Sequence, residues 1–173
     1  MNEKIVSVFG TGKASPSHAA YKLACETGRI LALAGFTIAN GGYGGTMLAA
    51  AKTAAEAGGN VIGVTCSAFK DSSANKYISR EIVTRSLTQR LETLLELGIA
   101  YIVLPGGTGT LLELALVWEM KNKGFLNADK PIILVGDFWK PLLDLISTED
   151  ADAGSYIHCV DEPSQILQLI SDR

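Results

Sequence analysis

Short apolar runs alternate along this chain with longer stretches of helical character, and this alternation restricts the possible fold more than any other feature of the sequence. The runs "KIVSVFG" (4–10) and "IAYIVLPGG" (99–107) are apolar almost throughout, without the polar residue at every second position that marks a half-exposed strand. Such strands are buried on both faces, as in a parallel sheet covered by helices. The sequence therefore predicts an α/β fold: a Rossmann-like, doubly wound parallel sheet with helices on both faces.

The other predicted elements continue this alternation. Further strands are predicted at 36–40, 60–65, 81–85, 130–136 and near "YIHCV" (156–160). Helices are predicted at 15–35, 46–57, 86–97, from the glycine cluster after the 99–107 strand to about 123, at 139–147 and in "PSQILQLISD" (163–172), with an irregular polar loop at 66–80. Ser15 is the expected N-cap of the first helix, with Pro16 at its first position. Because no repeat or linker interrupts the pattern, we expect residues 1–173 to form a single domain.

The composition disfavours several classes of partner. The formal net charge is −3, whereas proteins that bind DNA or RNA usually present a basic surface. No apolar run approaches the length of a membrane span, and "MNEKIVSVFG" lacks the pattern of a signal peptide. The three widely spaced cysteines, Cys25, Cys66 and Cys159, are typical of a reducing compartment. We expect a soluble cytoplasmic protein that binds neither membrane nor nucleic acid.

Three glycine-bearing turns follow predicted strands: "GTG" (10–12), "GGYGG" (41–45) and "GGTG" (106–109). The carboxyl ends of parallel strands lie at one edge of the sheet, and open α/β folds bind their ligands at that edge. The three turns therefore predict a small-molecule site there.

Neither of the two common phosphate-binding fingerprints fits these turns. In "GTGKAS", Ser15 occupies the position of the third glycine of GxGxxG, and the second strand ends without the acid that would hold a ribose. A P-loop is excluded because Ser7 and Ala14 occupy two of its defining positions. His18 and His158 are too few and too far apart to indicate a metal. We therefore expect no cofactor and no metal.

The turn at 105–110 is the best candidate for binding a phosphate. Its glycines allow backbone N–H groups to approach an anion, and the helix that follows directs its positive end to the same point. A purely structural alternative is open, since Thr110 and Glu113 have the spacing of a capping box with Thr110 as N-cap. Arg90 has no carboxylate three or four residues away in its own helix, so it is either a solvated arginine or a ligand-binding one.

The motif "PGGTGTLLE" (105–113) resembles the PGGxGTxxE signature of the LOG family, the cytokinin riboside 5'-monophosphate phosphoribohydrolases. The resemblance extends to the "GGYGG" turn with its following helix and strand, to "QR" at 89–90 and to "KPIILVGDFWKPLLDLI" (130–146). It implies hydrolysis of the N-glycosidic bond of a nucleoside 5'-monophosphate of the AMP or cytokinin type. The products would be a free base and ribose 5-phosphate.

The resemblance also assigns roles to individual residues. Arg90 and Glu113 match the catalytic arginine and glutamate of the family, and the chain would act as a homodimer with sites near the subunit interface. The residues expected to bind the substrate are Gly10, Gly42, Gly44, Gly45, Thr46, Gly106, Gly107, Thr108, Gly109 and Thr110.

Two departures from the family pattern keep a second function open. The family commonly has Arg-Lys where this chain has Arg90-Leu91, and "GGYGG" is shorter than the usual second turn. This variant resembles bacterial relatives known as nucleotide-binding or molybdenum-cofactor-carrier proteins. The alternative is therefore a non-catalytic carrier or sensor of a phosphorylated nucleotide or pterin. For either function, Tyr43 and the loop at 66–80 are candidates to contact the base of the ligand, and the sequence does not rank adenine over a pterin.

Overall fold

The computed structural model describes residues 3–70 and 73–170, which contain one parallel sheet in the order β4-β3-β2-β1-β5-β6-β7. Neighbouring strands are parallel throughout; Val6, for example, lies opposite Ile38 on one side and Ala100 on the other. The strands are β1 (Ile5–Phe9), β2 (Thr37–Asn40), β3 (Val61–Cys66), β4 (Arg80–Thr84), β5 (Ala100–Val103), β6 (Ile132–Val135) and β7 (Ile157–Val160). The predicted α/β fold is confirmed.

Helices occupy the connections between these strands. They are α1 (Ala19–Leu33), α2 (Thr46–Glu56), α3 (Leu87–Leu97), α4 (Thr108–Asn122), α5 (Lys140–Ser147) and α6 (Ile166–Ile170), with 3-10 turns at Ala153–Tyr156 and Pro163–Gln165. Within residues 3–70 and 73–170, no helix has both the length and the apolar character needed to span a bilayer.

The helices cover the two faces of the sheet in separate layers. Leu31 of α1, Ala50 of α2 and Ile166 of α6 belong to the core on one face. The alanine-rich α2 allows α1 to approach closely, and a β-carbon at Gly28 would overlap the backbone of Ala50. The core on the other face contains Leu94 of α3 and several side chains of α4, with partly buried side chains of α5 packed against it. The site residues predicted from α3 and α4 therefore share this second face.

The first helix begins later than its sequence predicts. Ser15 is not the N-cap; α1 starts at Ala19, and the His18 side chain accepts a hydrogen bond from the N–H of Ala20 at 3.2 Å. The N–H of His18 donates instead to the carbonyl of Ser15, which closes a turn around Pro16. The Ser15 hydroxyl lies 3.0 Å from the Ser17 hydroxyl, and the side-chain cap of α1 is supplied by His18 after this turn.

The closing α-helix also begins later than predicted. Residues Pro163–Gln165 form a 3-10 turn with a reciprocal capping box between Glu162 and Gln165, and the α-helix proper starts at Ile166. The predicted continuation beyond Ile170 lies outside the described residues.

The order of the strands places the predicted turns side by side. The chain runs outward from β1 through β2 and β3 to β4, then returns to the other side of β1 with β5. The turns after β1, β2 and β5 are therefore neighbours at the carboxyl edge, at the point where the strand order reverses. Ligands of open α/β sheets bind at this position.

Candidate functional site

The first two glycine turns pack directly against each other. The N–H and the hydroxyl of Thr46 both donate to the carbonyl of Thr11, at 2.9 and 3.0 Å. A β-carbon at Gly10 would overlap the Thr46 hydroxyl, and one at Gly45 would overlap the backbone of Thr11 and Gly12. Gly45 also has a φ of 62°, a backbone conformation that residues other than glycine rarely adopt. Close packing of the two turns thus explains Gly10, Gly45 and Thr46.

The second turn is fixed by two asparagines. The side chain of Asn40 accepts a hydrogen bond from the N–H of Gly42 at 2.8 Å, and Gly42 has a φ of 77°. The side-chain amide of Asn75 donates to the carbonyls of Gly42 and Tyr43, each at 3.0 Å. Gly44 is half-buried beside Gly12. The loop after β3 therefore holds the "GGYGG" backbone in place.

The third turn leaves the start of α4 open. The helix begins at Thr108 with Gly107 as N-cap, and glycine has no side chain that could accept from the first N–H groups. The capping-box alternative was therefore wrong, because Thr110 lies inside the first turn, buried against Gly106. Gly107, Thr108 and Gly109 are exposed, and a β-carbon at either glycine would meet no atom. The N–H groups and the Thr108 hydroxyl are thus placed to receive an anion.

Arg90 is buried, with only 7% of its surface exposed. It lies in the first turn of α3, where Ser86 caps the helix by accepting from the N–H of Gln89 at 3.2 Å. The Nε of Arg90 donates to the carbonyl of Val64 in β3 at 2.8 Å, and the guanidinium reaches Gly41 so closely that a β-carbon there would overlap it. The solvated-arginine interpretation is therefore wrong.

Glu113 lies in the second turn of α4 and is 8% exposed. Its Oε1 is 3.6 Å from Nη1 of Arg90, which is an ion pair across two helices but too long for a direct hydrogen bond. Burial raises the pKa of Glu113 to about 7, and the neighbouring Arg90 only partly opposes this effect. A carboxyl group with that pKa exchanges a proton readily near neutral pH, as a general acid or base must.

Two aromatic rings complete the surroundings of Arg90. Its guanidinium carbon lies 5.7 Å from the ring centroid of Tyr43 and 5.9 Å from that of Phe69, and the two rings are themselves 5.9 Å apart. The sequence had suggested Tyr43 and the 66–80 loop in general, but not Phe69 in particular. The available signal was an apolar aromatic residue within an otherwise polar loop after a strand.

A metal-binding cluster or a cavity elsewhere among the described residues would be an alternative to the carboxyl-edge site. Residues 3–70 and 73–170 contain no cluster of three or more His, Cys, Asp or Glu side chains that suits a metal ion. A cavity of about 900 Å³ opens at the opposite, amino edge of the sheet, lined in part by Lys4, Asn60, Ile99 and Lys130. None of the predicted site residues lines it, so the cavity and the carboxyl-edge site are separate.

Comparison with known proteins identifies the family to which the chain belongs. The chain matches the model of the SLOG cluster4 family over residues 3–167. It is 38% identical over 130 residues to the cytokinin riboside 5'-monophosphate phosphoribohydrolase of Mycobacterium tuberculosis, a match that covers 73% of this chain and 67% of that protein. The aligned part therefore spans about two thirds of the curated relative.

Solved structures resemble the chain over nearly its whole length. The molybdenum cofactor binding protein from Rippkaea orientalis superposes with a TM-score of 0.78 at 28% identity, covering 99% of this chain and 98% of that one. The molybdenum cofactor carrier protein of Chlamydomonas reinhardtii gives a TM-score of 0.78 at 26% identity, covering 98% and 99%. The resemblance carried by "PGGTGTLLE" is confirmed, and the chain belongs to the SLOG cluster4 family.

Proposed function

We propose that this protein hydrolyses the N-glycosidic bond of a nucleoside 5'-monophosphate of the AMP or cytokinin type, releasing the base and ribose 5-phosphate. The observation that supports this most strongly is the buried ion pair of Arg90 and Glu113. Burial of both charges is costly in free energy, and such a cost is typical of a site that uses them. The named activity of the curated relative is the same reaction type.

The phosphate of the substrate would bind at the third turn, from Gly106 to Thr110. Exposed N–H groups at the start of α4 and the Thr108 hydroxyl are suitable donors for it. Gly10, Gly42, Gly44, Gly45 and Thr46 would line the ribose side. Their main role, on the contacts described above, is to pack the first two turns so that the backbone at that edge is fixed.

Glu113 would act at the reacting carbon. As the bond from C1' to the base nitrogen breaks, its electron pair leaves with the base and positive charge develops on the ribose. The ionised Glu113 would stabilise that charge and take a proton from the water that attacks C1'. The departing base gains the proton that Glu113 has taken, which leaves Glu113 ionised again. In total, one nucleotide and one water give one base and one ribose 5-phosphate.

Arg90 would hold the substrate rather than transfer a proton. Its Nε is occupied by the carbonyl of Val64, and its Nη1 faces Glu113 at 3.6 Å. The remaining N–H groups of the guanidinium are a planar set of donors suited to phosphate or ribose oxygens.

The second candidate function is a non-catalytic carrier or sensor of a phosphorylated nucleotide or pterin. It is favoured by the full-length similarity to the two molybdenum cofactor proteins, and by Leu91 in place of the family's second cation. In that case the same carboxyl-edge site would bind its ligand without breaking a bond.

Base release and ligand binding together separate the two functions. Purified protein is incubated with AMP or an isopentenyl-type adenosine monophosphate, and free base is quantified by chromatography. The hydrolase predicts base release that is abolished in Glu113→Gln, while AMP binding remains. Glu119→Gln is the matched control, since Glu119 lies on the same helix, is exposed and pairs only with Lys123 among the described residues. Binding of intact nucleotide by the wild type without release would favour the carrier.

We also propose that the protein is a homodimer, with α4 at or near the interface. Leu111 and Leu112, which lie between Thr110 and Glu113 in α4, are 37% and 42% exposed, which is unfavourable for leucines left in water. Sedimentation of the wild type and of Leu112→Glu tests this: the wild type should sediment as a dimer and the variant as a monomer. A monomeric wild type would contradict the proposal.

A further inference from the structure

Tyr43 and Phe69 approach Arg90 from two different turns. Tyr43 lies in the turn after β2, and Phe69 lies three residues beyond the end of β3. Both ring centroids are within 6 Å of the guanidinium carbon of Arg90, at 5.7 and 5.9 Å. A guanidinium at that distance interacts favourably with an aromatic face. The three side chains therefore form one cluster. We call its two aromatic residues the Tyr43–Phe69 pair.

The aromatic pair is held by the backbone of β3. The N–H of Cys66 donates to the Tyr43 hydroxyl at 2.8 Å, and the N–H of Phe69 donates to the carbonyl of Cys66 at 3.1 Å. Asn75 fixes the Tyr43 carbonyl from the other side. Hydrogen bonds thus fix the Tyr43 ring and the backbone of Phe69, and 37% of Phe69 is exposed.

Tyr43 and Phe69 lie in the turns after β2 and β3, on the far side of Arg90 from Glu113 and the phosphate turn. In the sheet, β3 and β5 are separated by β2 and β1. Three strand spacings correspond to about 14 Å, which is comparable to the length of an extended nucleoside monophosphate. A ligand with its phosphate at the turn after β5 and its long axis across β1 and β2 would pass Arg90, and its far end would reach the aromatic pair.

We propose that the Tyr43–Phe69 pair is the base-binding subsite, in which a planar heteroaromatic ring of the purine or pterin type stacks against Phe69 beside Arg90. The inference rests on the proposed function only in taking the ligand to be phosphorylated and to carry such a ring. It applies equally to a hydrolase and to a carrier. Simple sugar phosphates would occupy the phosphate end alone and bind more weakly.

Calorimetric titration of AMP and ribose 5-phosphate tests the subsite. All variants carry Glu113→Gln so that AMP stays intact during the titration. Stacking on an aromatic side chain contributes roughly 5- to 150-fold in affinity. We expect Phe69→Ala to weaken AMP binding by such a factor, to leave ribose 5-phosphate binding unchanged, and to be rescued by Phe69→Trp. Phe125→Ala, which removes another exposed phenylalanine outside the site, is the matched control.

Three results would overturn the inference. The first is an equal loss of affinity for AMP and ribose 5-phosphate in Phe69→Ala, and the second is no loss of affinity for either ligand. The third is a Glu113→Gln protein with Phe69 intact that binds AMP no more tightly than ribose 5-phosphate. Base release by the protein with Glu113 intact is measured in parallel. If Phe69→Ala weakens AMP binding selectively but the protein releases no base, the hydrolase proposal is refuted and the subsite is supported. If the protein releases base but Phe69→Ala leaves AMP affinity unchanged, the subsite is refuted and the hydrolase is supported.

Discussion

The stability of Glu113→Gln relative to the wild type should increase as the pH rises from 4.5 to above 7. The carboxyl group is 8% exposed, and burial disfavours its charged form more strongly than the ion pair with Arg90 favours it. The folded protein consequently holds a proton on Glu113 over a pH range in which the unfolded chain has already released it. Glutamine resembles the protonated acid in shape and has no proton to lose.

The magnitude follows from the pKa. Folding raises the pKa of Glu113 from 4.5 to about 7, and a tenfold change in proton affinity corresponds to about 1.4 kcal/mol, giving about 3 kcal/mol in total. Because the folded-state pKa is the higher one, the protonated group contributes stability below pH 4.5, and that contribution is lost as the pH rises through 7. For a chain of 173 residues this is a difference in melting temperature of roughly 6–12 °C.

The assay compares the melting temperatures of the wild type and Glu113→Gln from pH 4.5 to 8. Other titrating groups are common to both proteins and cancel in the difference. The difference should shift in favour of the variant as the pH rises and level off above about pH 7. A difference that stays constant, or shifts toward the wild type, would refute the claim that burial dominates the electrostatics of this site.

Three further changes test other parts of the account. Gly41→Ala places a β-carbon where the Arg90 guanidinium lies, so kcat/KM for AMP should fall at least about tenfold. Gly154→Ala is the control, because its β-carbon would have no close neighbour. Unchanged activity in Gly41→Ala would contradict the role of Arg90. If ionised Glu113 is the base, kcat/KM should rise with pH through about 7 and then level off, and a flat profile would exclude that role. Lys121→Met removes buried hydrogen bonds to two carbonyls of the loop after α4. Urea denaturation should therefore show a free energy of unfolding lower by about 1–3 kcal/mol, with KM unchanged. A variant as stable as the wild type would refute the structural role of Lys121.

The general fold was predictable because buried parallel strands have a distinctive composition. Continuous apolar runs located β1 and β5, and the glycine turns after them located the carboxyl edge. The start of α1 was not predictable from preference alone, because Ser15 and Pro16 suit a helix start in general, but here His18 provides the cap three residues later. Local residue preferences are too weak to decide between two possible N-caps that lie three residues apart.

The residues of the candidate site could be named from the sequence, but their geometry could not. The resemblance supplied Arg90 and Glu113, yet the helix positions of Arg90 alone left it undecided between solvent and ligand. Its burial depends on the carbonyl of Val64 and on the absence of a side chain at Gly41, and both lie on strands or turns distant in sequence. Phe69 could not be singled out for the same reason, because its contact with Arg90 exists only after β3 and α3 are packed together.

The most direct test of the central claim is a time course of adenine and ribose 5-phosphate produced from AMP by the wild-type protein. If Glu113 and Arg90 hydrolyse the glycosidic bond, the two products should accumulate in equal amounts over many turnovers. They should remain at background in Glu113→Gln and at the wild-type level in Glu119→Gln. Intact AMP after prolonged incubation with a protein that binds it, or equal release by the Glu113→Gln variant, would contradict the account.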